Sequence, residues 1–129
     1  MSALVHLDTD FVVHGLSRRG PEWRRLLSLA ASDAEIAMSA VAWYEFARGP
    51  RTPEQLARAL AFLGEDGVVP FSRELAELAG TVFRALGSPR KRGNDIAIGV
   101  TAAAMGAVLL TRNARDFDGI PSLVVAVVD

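Results

Sequence analysis

The chain has 129 residues, of which 50% are hydrophobic and 22% are charged, and its formal net charge is −1. This length suits a single domain over residues 1–129, and because the sequence contains no cysteine, disulfides, thiol catalysis and zinc–thiolate sites are excluded. No apolar run is long enough to cross a membrane and no secretory signal is recognisable, so we expect a cytoplasmic protein.

Short apolar runs without polar alternation predict strands that are buried on both faces, as in a parallel sheet. The first run ends at Asp8 and the second at Ser39. Five such runs occur, at residues 3–7, 36–38, 68–69, 108–110 and 123–128.

Segments with helical start and stop signals lie between these runs. Thr52-Pro53-Glu54-Gln55 forms a capping box that begins one helix, and Gly64 is placed to end it. Three further helices are predicted to begin at Gly20-Pro21, after Ser72, and at Asn94, where Asn94 is the expected cap. Strands that alternate with helices indicate an α/β fold with a mostly parallel sheet of about five strands. Functional sites in such folds lie beyond the carboxyl ends of the strands.

Four acidic residues follow strands or begin helices at places that a parallel sheet can bring to one edge. They are Asp8 after the first strand, Glu45 two turns past Ser39, Asp95 in a first helical turn, and Asp116 after the fourth strand. Each of them alone could be an ordinary turn or cap residue. Together they predict a cation site, because clustered carboxylates repel one another unless a cation compensates them. Hard oxygen ligands without cysteine favour Mg²⁺ or Mn²⁺, which can activate water for attack on a phosphodiester.

Basic residues stand close to two of these acids in the sequence. Three precede Asp95 and two lie beside Asn113 and Asp116; they are Arg90, Lys91, Arg92, Arg112 and Arg115. If the acids converge, these side chains could hold RNA phosphates beside the metal. The alternative is a solvated loop whose charge aids solubility, and the sequence leaves both open.

Four segments in series resemble the PIN domain, and specifically the VapC-like toxins of type II toxin–antitoxin systems. They are residues 7–10 (Leu-Asp-Thr-Asp), 39–46 (Ser-Ala-Val-Ala-Trp-Tyr-Glu-Phe), 94–98 (Asn-Asp-Ile-Ala-Ile) and 110–117 (Leu-Thr-Arg-Asn-Ala-Arg-Asp-Phe). The resemblance implies a three-layer α/β/α fold, endoribonuclease activity with Mg²⁺ or Mn²⁺, a homodimer, and a VapB-like antitoxin that blocks the site.

The same resemblance assigns roles to individual residues. It makes Asp8, Glu45, Asp95 and Asp116 the catalytic and metal-binding residues, and it makes Thr9, Thr111 and Asn113 polar neighbours of the site. Many relatives hold an aspartate at the position of Asn113. Asp116 is therefore expected either to bind the metal directly or to act through water.

Three alternatives are compatible with parts of the sequence. Asp8-Thr9-Asp10 also resembles the nucleophile motif of haloacid-dehalogenase-like phosphotransferases, although that chemistry needs a lysine and Lys91 is the only one. A receiver-like signalling domain would need an aspartate at the end of the third strand, where Pro70-Phe71 stands. A PIN-like module that binds RNA or a partner without cutting is the third. The sequence favours a Mg²⁺-dependent endoribonuclease acting as a VapBC-type toxin.

Overall fold

A parallel five-stranded sheet forms the centre of the computed structural model, which describes residues 3–64 and 67–128. Its strands are β1 (Leu4–Leu7), β2 (Glu35–Ser39), β3 (Val68–Val69), β4 (Val108–Thr111) and β5 (Val124–Val127). They lie in the order β3-β2-β1-β4-β5, and all four pairings are parallel. The chain winds outward from β1 to β3 and then crosses to β4 on the other side of β1. The crevice between β1 and β4 is thus the topological switch point, where open parallel sheets bind ligands.

Helices on both faces of the sheet complete the predicted three-layer α/β/α fold. They are α1 (Thr9–Gly15), α2 (Gly20–Ala30), α3 (Ala40–Ala47), α4 (Pro53–Phe62), α5 (Arg73–Ala85) and α6 (Gly93–Ala104). Two 3₁₀ turns, Arg90–Arg92 and Ala114–Phe117, precede α6 and follow β4. None of the helices in the described residues combines the length and apolar character that crossing a bilayer requires.

Buried apolar side chains fix the elements that carry the predicted site. Phe11 on α1, Phe46 on α3, Ile98 on α6 and Leu109 on β4 are each at most 1% exposed. Burying a side chain of this size stabilises the fold by about 1.5–3 kcal/mol. The helices and strands that present the acids are therefore anchored close to them by the core.

Helix starts agree with the sequence in three cases and differ in two. The capping box of Thr52 and Gln55 is formed, the Ser72 hydroxyl caps α5, and α2 begins at Gly20 with Pro21 in its first turn. The prediction that Asn94 caps a helix is wrong, because α6 begins one residue earlier, directly after the 3₁₀ turn, and has no side-chain cap. No start signal in the sequence analysis predicted α1, which begins immediately after Asp8.

The last strand corrects the expectation that every apolar run is buried on both faces. Among the described residues β5 pairs with β4 alone, at the edge of the sheet. Val124 and Val127 are 59% and 48% exposed. An apolar run therefore identified a strand here but not its place in the sheet, because an edge strand of valines has the same sequence pattern as a central one.

Candidate metal centre

All four predicted acids line one open cleft at the switch point. The cleft has a volume of about 460 Å³, and Asp8, Glu45, Asp95 and Asp116 form its walls together with Asp10. The acids come from the ends of β1 and β4 and from α3 and α6, elements far apart in the sequence. The fold thus brings together the residues that the sequence singled out.

Asp8 is the most firmly held of the four. It is 6% exposed, its Oδ2 accepts a 2.8 Å hydrogen bond from Thr111 Oγ1, and its Oδ1 accepts one of 2.8 Å from the Thr9 amide. Burial raises the pKa of Asp8 to about 6, although these two hydrogen bonds act in the opposite direction. The negative charges of Asp10 and Glu45 contribute to the same rise. The pKa of Asp8 therefore reflects both desolvation and crowding with other acids.

Glu45 is oriented by side chains from three elements. Its Oε2 accepts a 3.1 Å hydrogen bond from Asn94 Nδ2 of α6 and lies 3.6 Å from Arg48 Nη2. Its Oε1 lies 3.4 Å from Thr9 Oγ1, which also donates to the Ala42 carbonyl at 3.0 Å. These contacts explain how a glutamate is accommodated in an otherwise apolar segment of α3.

Asp95 and Asp116 close the other side of the cleft. Burial raises the pKa of Asp95 to about 7, and the charges of Asp8, Asp116 and Glu45 add to that effect. Asp116 Oδ1 accepts a 3.2 Å hydrogen bond from the side-chain Nδ2 of Asn113. The backbone amide of Asn113 donates a second one, also of 3.2 Å, to Thr111 Oγ1. The predicted polar neighbours Thr111 and Asn113 thus link Asp116 to Asp8.

The chemistry of the cleft fits a hard divalent cation. Its acids supply carboxylate oxygens, and the pKa values of Asp8 and Asp95 are raised first by burial and then by neighbouring negative charge, which a bound cation would offset. In residues 3–64 and 67–128, no three histidine, aspartate or glutamate side chains form a group that could hold a metal ion as they stand. Mg²⁺ does not require one, since it usually keeps several waters and binds to one or two carboxylates.

The basic residues predicted to bind RNA lie outside the walls of this cleft as the described residues form them. The Arg92 guanidinium donates to the backbone carbonyls of Asp116 and Asp118, and so joins the two 3₁₀ turns. Arg112 pairs with Glu22 at 3.0 Å and lies 2.7 Å from His14 Nε2. The other three, which are Arg90, Lys91 and Arg115, are exposed or partly exposed around the same turns. Their contact with RNA stays a prediction.

Sequence reasoning missed three participants in the site. Arg48 and Arg51 line the cleft, and Asn94 holds Glu45. A signal existed for Arg48, because residues three apart on a helix share a face and Glu45 is three residues earlier. Arg51 lies in the connection after α3, where no periodic pattern predicts its direction.

The geometry agrees with a family that the sequence matches over residues 5–122, the PIN domain. The chain belongs to the PIN-domain family. This confirms the resemblance and the expected fold. No curated protein matches the sequence of this PIN domain.

Solved structures similar to this PIN domain come from toxin–antitoxin complexes. A chain of VapBC2 from Rickettsia felis, bound to a DNA fragment from the promoter, is 23% identical with a TM-score of 0.74, over 98% of this chain and 99% of that one. A chain of a toxin–antitoxin complex from Klebsiella pneumoniae is 28% identical with a TM-score of 0.69, over 95% and 96%. A chain of VapBC-1 from nontypeable Haemophilus influenzae is 25% identical with a TM-score of 0.68, over 95% of this chain and 96% of that one. The VapC-like group of PIN domains is thereby supported.

Proposed function

We propose that this PIN domain is a metal-dependent endoribonuclease and the toxin of a VapBC-type toxin–antitoxin pair. The observation that carries the proposal is the meeting of Asp8, Glu45, Asp95 and Asp116 in one open cleft. Membership of the PIN family and similarity to the toxin–antitoxin complexes of K. pneumoniae and H. influenzae support the toxin role. They favour it over the phosphotransferase alternative at Asp8 and Asp10.

The chain's own residues prepare the cleft for a cation and a phosphodiester. Asp8, Glu45 and Asp95 would hold Mg²⁺ or Mn²⁺, and Asp116 would assist directly or through water. When bound, such an ion neutralises the acids, positions the phosphodiester and makes water a better nucleophile. Thr111 and the Thr9 amide fix Asp8, and Asn94 fixes Glu45. These ligands are therefore oriented by their neighbours, which metal sites require of the groups around them.

The proposed partners are RNA, a VapB-like antitoxin and a second copy of the chain. The antitoxin follows from the similarity to VapBC complexes, and the homodimer from the resemblance to VapC-like toxins. A small open reading frame next to the gene that encodes this chain would supply the antitoxin. Its product, co-expressed with this chain, is expected to form a complex and to block RNA cleavage.

The decisive experiment is cleavage of total cellular RNA by the purified chain, with Mg²⁺ and with EDTA. Asp8→Asn is expected to abolish cutting and to keep the native circular dichroism spectrum. Asp33→Asn is the matched control, because Asp33 is an exposed aspartate outside the cleft. Unfolding of Asp8→Asn would instead assign Asp8 a structural role.

Failure of the folded wild-type chain to cut RNA would contradict the nuclease, once co-purified antitoxin has been excluded. Two measurements then separate the alternatives. Release of phosphate from small phosphate esters would support the phosphotransferase at Asp8 and Asp10. Binding of RNA without cutting would support the non-cleaving module.

A further inference from the structure

A second cavity of about 220 Å³ adjoins the acidic cleft, and we call it the side cavity. It is lined by Val13 and Leu16 from α1 and its end, Phe46 from α3, Arg51, and Gln55 and Arg58 from α4. Val13 and Arg51 line both the side cavity and the cleft. A ligand that extends from the proposed metal centre can therefore enter the side cavity past Arg51.

Arg51 is held in place and has an unused hydrogen-bond donor. Its guanidinium carbon lies 4.8 Å from the centroid of the Phe46 ring. On another side the backbone approaches so closely that a Cβ at Gly49 would lie 3.4 Å from the same carbon. Arg51 Nε is buried and has no hydrogen-bond partner among the described residues. Arg51 is thus a held cation at the boundary between the side cavity and the cleft.

The side cavity has the opposite charge to the cleft beside it. Five acids line the cleft, whereas the side cavity is lined by the cations Arg51 and Arg58 and by no acid of the described residues. Gln55 uses its Oε1 to accept a hydrogen bond from the Thr52 amide, which leaves its NH₂ group free to donate. Arg51, Arg58 and the Gln55 NH₂ group are donors, and Val13 and Leu16 add a partly exposed apolar surface. Donors beside an apolar surface match a phosphate joined to a flat base.

We propose that the side cavity holds the nucleotide next to the bond that is cut, with its base against Val13 and Leu16. Its phosphate binds Arg51 and Arg58. This inference rests on the proposed nuclease, and it names the part of the RNA whose binding holds the substrate at the cleft. Single-stranded RNA is the expected substrate, because its unpaired bases can enter such a cavity.

The test measures RNA binding separately from RNA cutting. An end-labelled single-stranded RNA of about ten nucleotides is titrated with the Asp8→Asn chain in Mg²⁺, at several salt concentrations, by fluorescence anisotropy. Adding Arg58→Glu is expected to weaken binding about tenfold or more and to reduce the slope of log K against log salt by about one. Adding Arg84→Glu is the matched control, because Arg84 is an exposed arginine of α5 that lines neither cavity. It should leave affinity and slope unchanged.

Two further measurements address the shared arginine and the base. Arg51→Lys keeps the charge but loses the planar fork that binds two phosphate oxygens, so a loss of affinity smaller than that of Arg58→Glu is expected. An abasic ribose-phosphate chain of the same length should bind to Asp8→Asn about tenfold more weakly than the RNA. Equal binding of the two would overturn the place of the base in the side cavity. Circular dichroism of every variant establishes that it is folded.

The outcomes separate this inference from the proposed function. If wild type cuts RNA but Arg58→Glu changes neither affinity nor slope, the nuclease is supported and a nucleotide in the side cavity is overturned. A protein partner then becomes the expected occupant of the side cavity. If wild type fails to cut while Asp8→Asn binds RNA through Arg58, the side cavity is supported and the nuclease is not. If no variant binds RNA although wild type cuts it, the side cavity is overturned and the nuclease stands; if wild type also fails to cut, both are overturned.

Discussion

Thr111 Oγ1 donates a 2.8 Å hydrogen bond to Asp8 Oδ2 and so joins two residues 103 positions apart in the sequence. The bond connects the ends of β1 and β4 at the switch point of the sheet. It lowers the pKa of Asp8 against the larger effect of burial, which raises it. Thr111 therefore favours the ionised carboxylate that a cation needs, before any cation binds.

Replacing Thr111 with valine removes this hydrogen bond and the one that Oγ1 accepts from the Asn113 backbone amide, while keeping the shape of the side chain. We expect RNA cleavage to fall about 10- to 100-fold, the usual cost of losing a group that orients a metal ligand, with a higher Mg²⁺ requirement. A cleavage assay over a range of Mg²⁺ concentrations measures both. Thr101→Val is the matched control, because Thr101 is equally buried but donates to the Ala97 carbonyl within α6. Equal losses in the two variants would show an effect of stability alone.

Asp95→Asn should stabilise the metal-free chain at alkaline pH. The pKa of Asp95 is about 7 in the folded chain, against an ordinary aspartate value of 3.8. Folding therefore favours the protonated acid, and the free energy of unfolding falls as the pH rises from 3.8 to about 7. Asparagine does not ionise and avoids this loss.

In EDTA at about pH 8 we expect Asp95→Asn to be about 1–2 kcal/mol more stable than wild type, or roughly 5 °C in Tm, once solvent screening is allowed for. The difference should vanish near pH 4, where Asp95 is protonated in the folded wild type. Thermal melts across this range measure it, with Asp33→Asn as the control that should show no such dependence. A lower Tm of Asp95→Asn at every pH would contradict the repulsion inferred in the cleft.

Mg²⁺ should raise the Tm of wild type, because an ion that binds only the folded chain stabilises it. We expect a rise of a few degrees at about pH 8 and a smaller one at about pH 5, since protons compete for Asp8 and Asp95. Asp95→Asn should respond less than wild type, and EDTA should reverse the effect. An equal rise in both chains would place the binding of Mg²⁺ elsewhere.

Much of the fold could be read from the sequence because its signals are local. Buried strands appear as apolar runs, and the carboxyl ends of parallel strands must meet at one edge. That rule predicted that Asp8 and Asp116 lie at the same edge, and Glu45 and Asp95 were placed there by their positions two turns after Ser39 and in a first helical turn. The convergence of these acids needed no knowledge of individual side-chain contacts.

The contacts that complete the site could not be read in this way because they join distant segments. Asn94 has the side chain and the sequence position expected of a helix cap, yet its side-chain amide donates a hydrogen bond to Glu45, which is 49 positions away. Arg51 follows a short connection whose direction no pattern specifies. In both cases tertiary packing decided between local options that are close in energy.

His6 should make the chain less stable in mild acid. It is 1% exposed in β1, and neither ring nitrogen has a hydrogen-bond partner among residues 3–64 and 67–128. Burial lowers the pKa of His6 below its usual 6.5, so the folded chain resists protonation. The contribution of neutral His6 to the free energy of unfolding is complete above pH 6.5. It is lost as the pH falls from 6.5 towards the lowered pKa of His6 in the folded chain.

The His6→Leu variant should therefore lose less stability than wild type between about pH 7 and pH 5, by about 1 kcal/mol. Chemical denaturation at the two pH values measures the difference. His14→Gln provides the control, because His14 is exposed. Identical pH dependence in His6→Leu and wild type would show that His6 is not protonated on unfolding in this range.

Two glycines within helices should respond in opposite directions to alanine. A Cβ at Gly99 of α6 would lie 2.5 Å from Ile120 Cδ1 and 3.1 Å from Leu123 Cδ2, so the packing beside α6 would have to shift. We expect Gly99→Ala to destabilise the chain by about 1–3 kcal/mol.

At Gly80 of α5 the nearest atom, Arg84 Nη1, is 3.7 Å away. Gly80→Ala should therefore stabilise by about 0.5–1 kcal/mol, because alanine loses less entropy than glycine on entering a helix. Thermal melts of both variants test this, and destabilisation by Gly80→Ala would contradict the open space beside α5.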